Sequence, residues 1–226
     1  MTETRRSFHE ELEQLRHDVI VLAAAAEEAI QAGTHALLDR DLTAVERVIA
    51  DDRTIDDLTH SAEERCYELL ARQQPMAVDL RTLVTVMRIL HELERIGDLM
   101  VNVAKTTRRL FPGELEPRVR GIIDRMRDQA SVQVRLAVDA FADRDPARAA
   151  ALVDMDDVMD DLQKELFRTI FAGPADDDHA LQRAVQVALV GRYFERIADH
   201  AVNVAERVEF MVTGQFGSPD RTARRA

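Results

Sequence analysis

Apolar residues recur every three or four positions along most of the chain, which is the spacing of one face of an α-helix. The opening stretch shows the pattern, with Phe8, Leu12, Leu15, Val19 and Leu22 separated by charged residues. Interruptions of the period divide the chain into six predicted helices. The first predicted helix ends near residue 38, and the others cover residues 42–71, 78–110, 119–142, 146–171 and 180–212.

The interruptions carry residues that stop and start helices. The tripeptide DRD occurs at 39–41 and again at 143–145, and it offers Asp41 as the N-cap of the second helix and Pro146 as the first residue of the fifth. Pro75 ends the second helix, and FPGELEP at 111–117 makes the clearest break in the chain. The residues after 213 have no apolar period, and we predict that they are disordered.

The second half of the chain repeats the first. ERIGDLMVNVAK begins at Glu94 and ERIADHAVNVAE at Glu195, with eight of twelve positions identical. DRTIDDL at 52–58 corresponds to DDVMDDL at 156–162. These matches predict an all-α fold of two tandem, pseudo-symmetric three-helix bundles, six helices in all. The first bundle would cover residues 1–113, the second 114–213 and a disordered tail 214–226.

The composition and charge of the chain exclude several classes of function. The chain is 46% apolar but only 4% aromatic, and its net charge of −12 argues against binding of nucleic acid, which needs clustered Lys and Arg. Cys66 is the only cysteine, so no intramolecular disulfide forms. The longest apolar run, residues 19–26, is too short to cross a bilayer and does not fit a signal peptide. We therefore expect a cytoplasmic protein without membrane insertion.

Carboxylate side chains are among the residues that both copies of the repeat share. Residues four apart share one side of a helix, so each third helix carries a short stripe of oxygen-bearing side chains, and each middle helix carries an acid pair at the same spacing. Like charges at this spacing repel, and a hard metal ion would turn that repulsion into coordination. The predicted metal ligands are Asp52, Asp56, Glu94, Asp98, Asp156, Asp160, Glu195 and Asp199, with Asn102, Asn203 and His200 as candidate supporting residues. The alternative is a solvated acidic surface with no ligand.

Enzymatic motifs are missing from the sequence. None of the seven histidines follows a glutamate by three residues, the spacing used in di-iron helix bundles. The sequence contains no phosphate-binding loop, dinucleotide fingerprint or nucleophile elbow. Cys66 lies in mid-helix beside apolar residues, which is typical of a core residue. We predict that the protein is not an enzyme.

The doubled motif, together with QPMAVDLRTLVTVMRI at 74–89 and RYFERIADHAVNVAERV at 192–208, resembles the PhoU family. The resemblance spans residues 5–213. It implies a cytoplasmic negative regulator of phosphate uptake and of the phosphate-starvation response. Such a regulator would couple the ATPase subunit of the phosphate ABC transporter to a sensor histidine kinase. The apolar, Ala-rich first helix is compatible with a homodimer and equally with a monomeric bundle.

The resemblance also implies multinuclear metal clusters held by the E/D-x-x-x-D motifs, with iron, Mn²⁺, Mg²⁺ or Zn²⁺ as candidate ions. Leu99 in the first copy replaces His200 of the second, so the two sites need not hold the same ions. A protein whose function is metal binding or storage is the main alternative. A metal-dependent phosphohydrolase is a third hypothesis, for which the sequence offers no general base.

Overall fold

A computed structural model describes residues 3–153, 155–172 and 178–215, and the elements in these ranges are α-helices. They are α1 (Glu3–Asp39), α2 (Leu42–Gln73), α3 (Val78–Leu110), α4 (Pro117–Asp143), α5 (Pro146–Val153), α6 (Asp156–Phe171) and α7 (Asp178–Thr213). The all-α prediction is confirmed, with α5 and α6 as two segments of the fifth predicted helix. Residues 216–226 of the predicted tail lie outside the described ranges.

The repeated DRD tripeptide makes the same helix–helix corner in both units. Arg40 and Arg144 follow the helix ends in the left-handed backbone region, with φ of 57° and 53°. The next aspartate then caps the following helix: Asp41 Oδ1 accepts hydrogen bonds from two backbone N–H groups, at 2.8 and 3.0 Å. Asp145 Oδ1 does the same at 2.9 and 3.1 Å. Local capping chemistry therefore fixes where these helices start.

The fifth predicted helix is not a single straight element. Two short-range backbone hydrogen bonds tighten the chain at the junction of α5 and α6: Met155 N–H to Leu152 C=O at 3.0 Å and Val158 N–H to Met155 C=O at 3.3 Å. Bonds between residues three apart are typical of a 3₁₀ turn at a helix end. As a result Asp156 is the first residue of α6, whereas its counterpart Asp52 lies in the interior of α2.

The two units share one hydrophobic core. Within each unit the helices pack against one another, and the units meet where α1 contacts α4 and α3 contacts α7. The apolar side of α3 is buried, at 0–1% exposure for Leu93, Ile96, Met100 and Val103, and so is Cys66. No helix in the described part of the chain is long and apolar enough to cross a membrane.

Helices α3 and α7 run antiparallel across this interface. Arg81 near the start of α3 lies against Gly214, just after α7, and Arg183 near the start of α7 lies against Gly113, just after α3. Between them, Glu92 of α3 contacts His200 of α7. The first turns of the two helices therefore lie at opposite ends of the molecule.

Candidate functional site

Four predicted ligands gather on the facing sides of α2 and α3. Burial, followed by the charges of Asp56, Asp98 and Glu94, raises the pKa of Asp52 from 3.8 to about 6. Burial and the charge of Asp98 also raise the pKa of Glu94. The other three carboxylates therefore lie close enough to Asp52 to oppose its ionisation. We call Asp52, Asp56, Glu94 and Asp98 the first acid cluster.

Gly97 lets the helices carrying the first acid cluster approach closely. A Cβ atom at this position would lie 2.9 Å from Ile55 Cδ1 and 3.0 Å from Asp52 Oδ1, closer than ordinary van der Waals contact. Glycine thus allows the α2 side chains to lie directly on the α3 backbone, beside Glu94 and Asp98. The second unit has Ala198 at the equivalent position.

The second acid cluster consists of Asp160 on α6 with Glu195 and Asp199 on α7. Burial and the charges of Asp199 and Asp160 raise the pKa of Glu195, although Arg192 acts in the opposite direction. The Glu195 side chain is 15% exposed, and its Oε2 atom is buried without a hydrogen-bond partner. The side chain of Asp156, predicted as a fourth ligand here, lies outside the described residues.

Arginine side chains neutralise part of each cluster. Arg95 Nη1 lies 2.5 Å from Asp98 Oδ2. Arg192 makes the corresponding ion pair with Glu195. As the side chains stand, no set of three or more His, Cys, Asp or Glu among the described residues could hold a metal ion. An ion at either cluster would therefore require the carboxylates to move closer together.

The donor chemistry of both clusters nevertheless fits a hard cation. Half-buried carboxylates with raised pKa values, and a carboxylate oxygen of Glu195 without a hydrogen-bond partner, are groups whose negative charge the arginines compensate only in part. A bound cation would supply that compensation and cross-link the middle and third helices of a unit. The ligand assignment itself stays a prediction.

Two of the predicted supporting residues, His200 and Asn203, contact Glu92, which the sequence did not indicate as a site residue. His200 Nδ1 lies 2.7 Å from Glu92 Oε2, and Asn203 donates a hydrogen bond to the same oxygen at 3.1 Å. The Glu92 and His200 side chains are only 12% and 14% exposed. Asn102 lines a small polar cleft together with Asp98 and His200.

The hydrogen bonds to Glu92 outweigh its burial. Burial alone would raise the pKa of Glu92, but the hydrogen bonds from His200 and Asn203 and the charge of His200 hold it below the ordinary 4.5. The interaction joins the two units. A signal for it exists in the sequence, because the repeat departs there: Tyr193 corresponds to Glu92, and Leu99 to His200.

Comparison with known proteins matches both units. The PhoU domain model matches residues 19–107 and 123–208. The chain belongs to the PhoU family. The first match contains the first acid cluster and the second match contains the second, so the duplicated bundle is the family's own repeat.

Relatives in the PhoU family cover nearly the whole chain. The phosphate-specific transport system accessory protein PhoU homolog 1 of Mycobacterium leprae is 37% identical over 96% of this chain and 97% of its own length. PhoU homolog 2 of Mycobacterium tuberculosis is 38% identical over 94% and 99%. These identities are too similar to assign the chain to either homolog. The crystal structure of PhoU from Pseudomonas aeruginosa matches with a TM-score of 0.85 at 31% identity, covering 92% of this chain and all of that one.

Proposed function

We propose that this protein is a negative regulator of phosphate uptake and of the phosphate-starvation response. It acts as an adaptor between the ATPase subunit of the phosphate ABC transporter and a sensor histidine kinase. The observation that carries the proposal is family membership over almost the whole chain, with relatives named as accessory proteins of the phosphate transport system. We propose that the acid clusters are metal sites. The bound metal would either stabilise each bundle or let the regulator respond to metal.

The start of α3 offers a surface for a protein partner. Met76 is 80% exposed and Val78 52%, and Leu80 and Val84, which are also exposed, lie together on another side of the first turns of the helix. Ala77 between them has φ of 50°, a conformation that is unfavourable for a residue with a Cβ atom. Exposed apolar clusters of this kind are typical of protein-binding sites. We propose that a partner covers this surface.

A pull-down from the native cells tests the adaptor role. The tagged protein is recovered from cells grown in high and in low phosphate, and its partners are identified by mass spectrometry. We expect a phosphate-transporter ATPase or a sensor kinase, in an amount that changes with phosphate. Recovery of neither partner in either condition would overturn the proposal.

Matched serine variants test the surface. Val78→Ser should reduce partner recovery, because it removes an apolar contact from the centre of the proposed interface. Val158→Ser on α6 removes a valine of similar exposure, 48%, from another part of the molecule and should leave recovery unchanged. Equal losses in both variants would contradict the assignment of the surface.

The second candidate function is metal binding or storage, which the uncompensated carboxylates favour. Asp98→Ala combined with Asp199→Ala should abolish metal binding by both clusters, measured as metal content of the purified protein. If regulation in cells survives the loss of metal, the metal-centred function fails. If the double variant keeps its full metal content, the ligand assignment fails.

A further inference from the structure

A basic cleft opens at the end of the molecule where α3 stops and α7 starts. Its volume is about 570 Å³. Arg109 from the last turn of α3 and His179, Gln182, Arg183 and Gln186 from α7 supply its polar lining. The acid clusters lie elsewhere on these helices, so the cleft is separate from the candidate metal sites.

The spacing of the lining residues on α7 makes one continuous face. His179, Gln182, Arg183 and Gln186 follow the i, i+3, i+4, i+7 pattern, which places them on the same side of the helix. Gly113, in the loop after α3, leaves room for the Arg183 side chain, since a Cβ atom at position 113 would lie 3.3 Å from Arg183 Cδ. The face is therefore built to present nitrogen donors into the cleft.

No ion pair among the described residues neutralises the positive charge of the cleft. Within the described part of the chain, Arg109, His179 and Arg183 take part in no ion pair, although the chain as a whole has 42 acidic residues against 30 Lys and Arg. Glu114 in the neighbouring loop is bound by Arg40 at 2.9 Å. Two permanent guanidinium charges in a concave surface raise the local concentration of anions.

The opposite end of the molecule serves as an internal comparison. With the 101-residue offset of the repeat, Val78 corresponds to His179, Thr82 to Arg183 and Phe210 to Arg109. All three ionisable side chains of the cleft are thus replaced by uncharged ones. Arginine is present at the opposite end too, because Arg81 takes the position of Gln182 and lies against Gly214. The combination of Arg109, His179 and Arg183 in one cleft nevertheless belongs to the end where α3 stops.

We propose that this cleft binds a phosphate-type oxyanion, with Arg109 and Arg183 pairing its charge and His179 and the glutamine amides donating hydrogen bonds. Arginine suits this role because its planar donors match phosphate oxygens in pairs. The ligand is either free phosphate or the phosphate group of a small metabolite. The proposal goes beyond the adaptor function, because binding requires no partner protein.

Isothermal titration calorimetry of the full chain tests the proposal at constant ionic strength. The probes are inorganic phosphate and AMP, titrated separately to about 10 mM, which covers millimolar dissociation constants. Saturable heat from either probe supports the site and names the source of the phosphate. No saturable binding of either probe would overturn the proposal, and it would leave the adaptor function untouched.

Three variants locate the binding. Arg109→Gln and Arg183→Gln should each weaken binding about tenfold or more, because each removes a charge-assisted hydrogen bond. Arg88→Gln is the matched control: it removes the same charge from an exposed position about 30 Å along α3 from Arg109 and should change the affinity less than about twofold. Circular dichroism confirms that each variant is folded. Equal weakening by all three variants would show a non-specific charge effect and contradict the site.

Discussion

Replacing Asp52 with asparagine removes a carboxylate whose ionisation the first acid cluster opposes. Asparagine keeps the shape and hydrogen-bonding capacity of the side chain, so the loss of charge is the main change. Burial and the neighbouring carboxylates Asp56, Asp98 and Glu94 disfavour the charge on Asp52 in the folded protein. In metal-free buffer, the Asp52→Asn variant should therefore be more stable than the original protein.

The expected gain follows from the pKa of Asp52. A rise from 3.8 to about 6 corresponds to an upper limit of about 3 kcal/mol for ionised Asp52. Asp52 is partly exposed, so solvent screening reduces this figure. We expect a gain of about 1 kcal/mol at pH 8, or a rise in Tm of about 2–4 °C for a protein of this size.

The gain in stability should depend on pH in a direction that follows from the raised pKa of Asp52. Because the folded-state pKa of Asp52 is raised, the folded protein takes up the proton first as the pH falls from 8 through about 6 towards 4. The original protein is relieved of the repulsion over this range, whereas Asp52→Asn has nothing to relieve. The difference in stability should therefore be largest at pH 8 and nearly vanish at pH 4.

Urea denaturation followed by circular dichroism, in EDTA at pH 8, 6 and 4, measures the effect. Asp57→Asn is the control, since Asp57 is exposed on the same helix and lies outside the acid cluster. Its free energy of unfolding should change by less than about 0.5 kcal/mol. A gain that is absent at pH 8, that persists unchanged at pH 4, or that Asp57→Asn reproduces would refute the reasoning.

Three further predictions concern the packing within and between the two units. Gly97→Leu should lower the free energy of unfolding by about 2–3 kcal/mol in urea titrations, because α2 must move away from α3; an unchanged midpoint would contradict the close approach. A double-mutant cycle on Glu92→Ala and His200→Ala should give a coupling free energy of about 1–2 kcal/mol at pH 7. Because the folded-state pKa of Glu92 is lowered, that coupling should be lost as the pH falls below 4.5. Cys66 is fully buried and its pKa is raised to about 12, so it should react with iodoacetamide only as fast as the protein unfolds.

The sequence predicts the helices well because local chemistry determines them. The bounds of α3 agree with the predicted 78–110, and the predicted N-cap at Asp41 makes its two hydrogen bonds. The apolar residues that the period places along α1 are buried. Periodicity, caps and helix-breaking residues act over a few neighbours, so they can be evaluated from the residues alone.

The features that escaped prediction depend on contacts between distant segments. Glu92 and His200 are 108 residues apart, and Arg109 and Arg183 line one cleft from different units. Both arrangements arise from the antiparallel packing of α3 on α7, which no periodic pattern specifies. The repeat gives a partial signal, since Glu92, His200, Arg109 and Arg183 all stand at positions where the two copies differ.

This division between kept and changed residues bears on how an adaptor could work. The acid clusters occur once in each unit, so they can contribute equally to both halves of the molecule. In contrast, the apolar Met76 and Val78 stand at one end, and the basic Arg109, His179 and Arg183 stand at the other. A protein with two identical ends would offer both partners the same surface and could not bind them selectively. Exposed apolar residues occur at both ends, because Leu80 and Val84 recur as Leu181 and Val185. The ends still differ in Met76, Val78 and the three basic residues, so such a molecule can hold a protein at the first end while it responds to an anion at the second.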